Sequence, residues 1–269
     1  MRRLLPPLVA LLLWVVPASA ADVKIAWWGQ SFFEIVTPKG TRIVLDPHML
    51  EEYRMLPKSI KADLVLMSHL HVDHTNTGTI ANIKTAKVYN ALKKDGLRQD
   101  WEVVDTKFKD VHVQTIGTYH DNVSGMQRGK NGIWVIDVDG LRIVHLGDLG
   151  HSLNRTQLKK LGSVDVLMVP VGGVYTLNGI DAYKVVKQIK PRRYVIPMHY
   201  GTPIYDDLLP VSYFLTEAKD DGVPIERLKP RQWLTVDAKA PAPKQFTVAV
   251  LHWTGAGPKP RERDKEAEK

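Results

Sequence analysis

The chain of 269 residues contains no cysteine. That absence excludes disulfides and thiolate metal ligands together. Any metal must be held by imidazoles and carboxylates, a donor set suited to zinc, manganese or iron. Long apolar runs are lacking too. The one such stretch is Leu8 to Val16, preceded by Arg2 and Arg3 and followed by Ala18-Ser19-Ala20, the small-x-small form that signal peptidase cleaves. A spanning helix needs about 20 apolar residues, more than the interval between Pro7 and Pro17 offers. Residues 1–20 are therefore expected to be a cleaved signal peptide, with the mature chain starting near Ala21 and the protein periplasmic or secreted. No stable membrane anchor is expected, and without cysteine there is no lipoprotein attachment site. Clustered basic charge is also missing. The formal net charge of +8 falls to +6 without Arg2 and Arg3, and the remaining Lys and Arg are scattered among Asp and Glu. A nucleic-acid groove would need a basic stripe interleaved with aromatics, so the expected partner is a small molecule, of anionic kind if the mild basicity bears on it. Nothing in the pattern addresses oligomeric state.

What is present reads as one domain. From Val23 to Asp46, three strand-forming runs are separated by Gly29-Gln30 and Pro38-Lys39-Gly40, as in an antiparallel meander. Residues 62–68 form a continuous apolar run, the pattern of a strand buried on both faces. Further strand candidates are KVYN, VHVQTIG, GIWVIDVD, LRIVHL, DVLMVPV and RRYVIPM. Helical spacing runs from Asn178 to Lys190, with Asn178 as N-cap and Asp181 in the first turn. Weaker helices are expected over 153–161 and 211–219. The mixture gives an α/β (α+β) class with helices covering sheet. The domain is placed at 21–240. Residues 241–269, rich in Pro, Ala and charge, are assigned to a disordered tail, with 246–251 as a candidate last strand.

The chemistry concentrates at Ser68-His69-Leu70-His71-Val72-Asp73-His74, directly after the buried strand candidate. Three imidazoles and a carboxylate within six residues have the spacing of a metal-binding loop. The arrangement recurs: His120, Asp148 and His199 each follow a strand-like run. Four strands thus deliver ligand-type residues at their C-terminal ends, as rigid scaffolds present functional loops.

With WWGQSFFEI and IVLDP near the start, SHLHVDH, YHD, HLGD and PMHYGT, the chain resembles the metallo-β-lactamase-fold hydrolases, and among them the ascorbate-6-phosphate-lactonase-like branch of metal-dependent hydrolases. The resemblance runs to about Trp233. It implies a four-layer αββα sandwich with two divalent ions at one edge, Zn²⁺ first and Mn²⁺ or Fe²⁺ as alternatives. By matching motif, His69, His71 and His120 would hold one ion, Asp73, His74 and His199 the other, and Asp148 would bridge them. Two such ions can share and acidify a hydroxide that attacks a lactone, ester or phosphodiester. Asp73 would also orient that nucleophile or carry its proton. Asp46 would support the metal loops by hydrogen bonding. The bridging Asp148 and the lack of cysteine point away from the β-lactam-hydrolysing members. Leu149-Gly150-His151 stands where acyl-homoserine lactonases carry a tyrosine.

Outside that set, His112 reads as a strand-face residue and His252 as incidental, while His145 suits a buried hydrogen-bonded role. His48 and His151 are open between packing and support of the ligands. Arg128 and Lys130, in the Gly-rich segment after His120, are candidate substrate-binding cations. The leading function is a dinuclear metal-dependent hydrolase. The alternatives are a phospholipid or nucleotide phosphodiesterase of the same fold and a non-catalytic metal-binding protein.

Overall fold

The computed structural model describes residues 22–253, apart from Leu56 and Leu97. The expected leader over 1–20 and the tail beyond Trp253 lie outside the described residues. The chain opens with the meander β1 (Asp22–Trp27), β2 (Phe33–Val36) and β3 (Arg42–Leu45), then continues through β4 (Leu64–Met67), the one-turn helix α1 (Val72–Thr75) and β5 (Lys87–Asn90). A hairpin, β6 (Leu92–Asp95) and β7 (Arg98–Trp101), leads to β8 (Asp105–Phe108), β9 (Val111–Tyr119), β10 (Lys130–Val138) and β11 (Leu141–His145). Then follow α2 (Arg155–Leu161), β12 (Val166–Pro170), α3 (Gly179–Ile189), β13 (Tyr194–Met198), α4 (Ser212–Asp220), β14 (Ile225–Arg227), β15 (Leu234–Asp237) and β16 (Thr247–Val250).

These strands form two large sheets, a six-stranded one ordered β15-β1-β2-β3-β4-β5 and an eight-stranded one ordered β14-β16-β13-β12-β11-β10-β9-β8. Pairing follows connection length. The short turns of the first meander, of β8–β9 and of β10–β11, and the loop 120–129 between β9 and β10, give antiparallel pairs, whereas β11, β12 and β13 run parallel because α2 and α3 cross between them. Both helices have the N-caps their sequences offer: Asn154 accepts from the Gln157 N–H and Asn178 from the Asp181 N–H, each at 2.9 Å.

β4 shows how the sandwich is filled. All four of its residues are buried, and their side chains alternate. Leu64 and Leu66 enter the main core with Trp27, Ile35 and Trp134, while Val65 and Met67 join a second cluster with Phe32, Tyr53 and Ile80. The continuous apolar run is therefore a strand with two apolar faces, as expected. The cover outside the first sheet is supplied by α1, two 3-10 turns (Glu51–Tyr53 and Thr77–Thr79) and the coil around them. The longer helices lie against the second sheet, α2 on β9, α3 on β12 and α4 on β14.

One boundary is corrected. Thr247–Val250, inside the segment assigned to the tail, pairs with β13 on one side and β14 on the other. Val248 and Ala249 are fully buried, so the folded domain extends past residue 240. The Pro/Ala-rich composition of 238–243 marks a connection into a strand, not the end of the domain.

Candidate metal centre

The four ligand-bearing strands end at one edge of the sandwich. His69, His71, Asp73 and His74 come from the β4–α1 segment of the first sheet. His120 follows β9, Asp148 follows β11 and His199 follows β13, all in the second. The expected tight loop after β4 is partly helical, with His71 at the N-cap of α1 and Asp73 and His74 in its single turn.

Asp148 is the point on which the side chains converge. Its Oδ2 lies 3.3 Å from His74 Nε2, 3.2 Å from His120 Nε2, 3.2 Å from His199 Nε2 and 4.0 Å from His69 Nε2. The donor atoms of His69, His71 and His120 fall within 4.8 Å of one another, as do those of Asp73, His74 and His199. These are the two groupings that the family resemblance implies, and Asp148 lies between them.

Hydrogen bonds around the imidazoles orient their lone pairs. Asp46 receives the Ser68 N–H on Oδ1 and the Ser68 hydroxyl on Oδ2, each at 2.6 Å. Since the Ser68 hydroxyl donates there, its oxygen is left to accept from His69 Nδ1 at 2.9 Å. His74 Nδ1 donates to Asp46 Oδ2 at 3.0 Å, and His120 Nδ1 donates to the Tyr175 carbonyl at 3.1 Å. Each partner assigns a proton to Nδ1, which leaves Nε2 of His69, His74 and His120 as the ring atom turned toward Asp148. Asp46 groups geometrically with His69 and His74, but its oxygens are committed to these donors, so it supports the ligands.

The charges match this arrangement. Burial opposes ionisation of Asp148, yet the surrounding imidazoles of His199 and His74 hold its carboxyl well below the usual carboxylate range. Burial likewise disfavours a charged His74, but Asp148 and Asp46 on either side push its imidazole well above the usual range. Asp73 is brought down to about 2 against its own burial, mainly by His74. Two carboxylates, Asp148 and Asp73, are thus held ionised beside His74, the one imidazole here whose charge is favoured. His74 Nε2 is buried without a hydrogen-bond partner, although two carboxylate oxygens stand within 3.4 Å. A divalent cation fits these residues. It would take up the orphaned nitrogen and the unbalanced carboxylates together.

Several residues that position this edge were not identified from sequence. Ser31, at the β1–β2 turn, donates to Asp148 Oδ1 at 3.1 Å. The Gln30 carbonyl in the same turn accepts the His199 backbone N–H at 3.1 Å. Asn131 accepts the Asp148 N–H at 3.0 Å and donates to Thr118 and to the Leu146 carbonyl. His199 itself has a left-handed backbone, φ 50°, and Gly172 lies so close to its carbonyl that any Cβ there would collide with it. Ser31 lies within WWGQSFFEI, but nothing local in the sequence announces a contact with a residue so distant.

The other histidines have structural partners. His48 is buried between the Gly29 carbonyl and the Leu50 N–H, and its desolvation lowers its pKa to about 4. His151 accepts the Tyr119 N–H through Nε2. His145 binds the Ser31 carbonyl and the Gly147 N–H. His112 lies on the exposed face of β9 against Asp105.

The loop expected from Asp121 to Asn131 ends at Gly129, because Lys130 and Asn131 begin β10; it is built around the Asp121 carboxylate, which accepts four backbone N–H groups. Arg128 lines a polar cavity of about 210 Å³ together with His120, Asn122, Tyr175 and Asn178. Its guanidinium donates to the Val174 carbonyl at 3.1 Å and lies 4.6 Å from the Tyr175 ring. Lys130 is different. As the first residue of β10 it turns toward β7, where its Nζ meets Asp100 at 2.8 Å and stands over the Trp101 ring. Its charge is already paired, and the expectation that it lines the substrate site is corrected.

Two sheets sandwiched with a histidine and carboxylate cluster at their common edge define a metallo-hydrolase scaffold of the β-lactamase kind. The chain matches the Beta-lactamase superfamily domain over residues 24–199 and belongs to that superfamily, within the UPF0173 family of metal-dependent hydrolases. A UPF0173 metal-dependent hydrolase of Pyrococcus furiosus is 32% identical over 195 residues, covering 67% of this chain and 85% of the relative. Among solved structures, a metallo-beta-lactamase superfamily protein from Thermotoga maritima is 27% identical with a TM-score of 0.60, over 85% of this chain and 98% of that one. A diiron beta-hydroxylase from Streptomyces venezuelae has the same fold at 14% identity, TM-score 0.56, over 82% of this chain and 55% of that one. Its chemistry is a reminder that the scaffold alone does not fix the reaction.

Proposed function

We propose that the chain is a dinuclear metal-dependent hydrolase acting on a lactone, ester or phosphodiester of a small substrate. The convergence of the His74, His120 and His199 Nε2 atoms on Asp148 Oδ2, with a complete triad on either side, carries this reading. His69, His71 and His120 would hold one divalent ion and Asp73, His74 and His199 the other, zinc being the natural choice for imidazole-rich sites. Bound there, such ions supply Lewis acidity, polarising a carbonyl or phosphoryl oxygen and lowering the pKa of water.

The protein's own groups do the rest. Asp148 is almost fully buried and anchors both halves. Asp73 is the exposed carboxylate, with one-third of its side chain open to solvent. Its oxygen not facing His74 is free to orient the attacking water and to pass that water's proton to the leaving oxygen as the bond to the acyl carbon or phosphorus breaks. A carboxylate with a pKa of about 2 is ionised throughout the neutral range, which suits orientation and brief transfer better than proton storage. Arg128, in the cavity beside His120, is placed to meet an anionic group of the substrate.

The test is elemental analysis of protein purified without chelator, paired with a panel of lactone, ester, phosphodiester, phosphomonoester, thioester and β-lactam substrates. Two ions per chain and turnover of the first three classes are expected. Asp148→Asn should lower occupancy and turnover together, whereas His112→Ala should leave both unchanged. Full metal content and full activity in Asp148→Asn would remove the assignment.

A further inference from the structure

Nine large apolar side chains are exposed among the described residues, and they are unevenly placed. Five of them, Val72, Met126, Val174, Tyr175 and Leu209, belong to the segments that carry or hold the metal ligands. Single exposed apolar residues are ordinary, but their accumulation beside one polar site marks a contact surface.

Each lies on a segment linked to the centre. Val72 stands between ligands His71 and Asp73 and is 82% exposed. Met126, 81% exposed, lies in the loop that follows His120. The Tyr175 carbonyl holds His120 Nδ1, and the Val174 carbonyl holds Arg128, which ties this loop to 121–129. Leu209 joins the same group, since its N–H donates to the Gly172 carbonyl at 2.8 Å.

Val174 provides an independent observation. It is β-branched yet has a left-handed backbone, φ 55°, a conformation that such residues rarely adopt. The strain leaves its side chain more than half exposed in a connection where glycine or asparagine would be relaxed. Strained backbone held beside a site points to a use for the side chain it presents.

We propose that the substrate is amphiphilic, with a polar or anionic hydrolysable group in the cavity beside His120 and Arg128 and an alkyl or aryl arm lying across the apolar lip of Val72, Met126, Val174 and Tyr175. The proposal rests on the hydrolase reading of the centre. A substrate arm is the occupant because Val174 and Tyr175 line the cavity that holds His120 and Arg128, and Val72 stands between His71 and Asp73. The floor is polar and the lip apolar, which matches a molecule with one end of each kind.

The experiment is calorimetric titration of the zinc-loaded full chain with methyl-, butyl- and octylphosphonate, which bind without turnover. Affinity is expected to rise about two- to fourfold per methylene that reaches the lip. The Val72→Ser, Val174→Ser double variant should flatten that rise. Val103→Ser, equally exposed but on the β7–β8 connection, should keep the full rise. Equal affinities for the three phosphonates, or a rise unaltered in the double variant, would overturn the amphiphilic substrate alone. Co-sedimentation with phosphatidylcholine vesicles, or a dimer broken by Val72→Ser, would overturn it by assigning the lip to a bilayer or to a second copy. Failure of all three phosphonates to bind would remove the metal-centre reading and the proposal together.

Discussion

The Ser31 hydroxyl donates to Asp148 Oδ1 across the two sheets at 3.1 Å, with both side chains buried. The same turn takes the His199 N–H on the Gln30 carbonyl and His145 Nε2 on the Ser31 carbonyl. A turn of the first sheet thus sets the position of two ligands that belong to the second. Ser31→Ala should preserve the fold, judged by circular dichroism, but leave one oxygen of a buried carboxylate without its donor. Groups that orient ligands in this way are worth about 10–100-fold in metal affinity. Competition against a chromophoric chelator should show a loss of that size, and unchanged affinity would mean that Asp148 holds its place without Ser31.

Arg128 and Lys130 are two residues apart and should behave differently. Arg128→Ala is expected to raise KM for an anionic substrate by about tenfold, as for the loss of one charged hydrogen bond, and to leave a neutral analogue nearly untouched. Lys130→Ala should leave KM for both substrates unchanged, because its ammonium is paired with Asp100. Parallel kinetics for both variants would remove the 121–129 loop from the substrate site.

Glu34 lies on β2 with its side chain buried, and burial raises its carboxyl pKa despite Arg42 at 3.2 Å. The folded chain therefore holds this proton to higher pH than the unfolded chain does. Stability from this group is intact below about pH 4.5, the unfolded value, and falls as pH rises through the folded pKa. Glu34→Gln should then melt higher than the parent at pH 7, by roughly 2–4 °C for each kcal/mol relieved, with the gap closing toward pH 4. An equal or lower melting temperature at pH 7 would show that the Arg42 pair outweighs the desolvation.

Cleavage after Ala20 remains the expectation for the leader. Mass spectrometry of protein exported by a bacterial host should find an N-terminus at or near Ala21. Full-length chain recovered in the membrane fraction would favour an anchor instead.

The residues that gather at the sheet edge stood out in the sequence because they lie just past strands, where the period of apolar residues stops and a His or Asp is conspicuous. β4, α3 and the meander were legible for a related reason, since burial on one or both faces writes a local pattern. Apart from Asp46, which the family resemblance implied, the supports were not. Ser31, Asn131 and the Tyr175 carbonyl act over long sequence separations, and a carbonyl has no residue identity to read. β6, β7 and β8 were missed because their residues are charged and largely exposed, so no apolar alternation marks them. Arg128 and Lys130 looked equivalent as cations on one loop, and the first residue of a strand turned one of them away.

The place of β16 has a consequence for how the centre comes into being. β13, whose end carries His199, lacks one neighbour until Thr247–Val250 has been synthesised and inserted between it and β14. The first sheet waits in the same way, since its edge strand β15 (Leu234–Asp237) pairs with β1. Both sheets therefore take their last strand from residues 234–250, and the order of synthesis makes the complete edge a late event, gated by the two strands that close the sandwich.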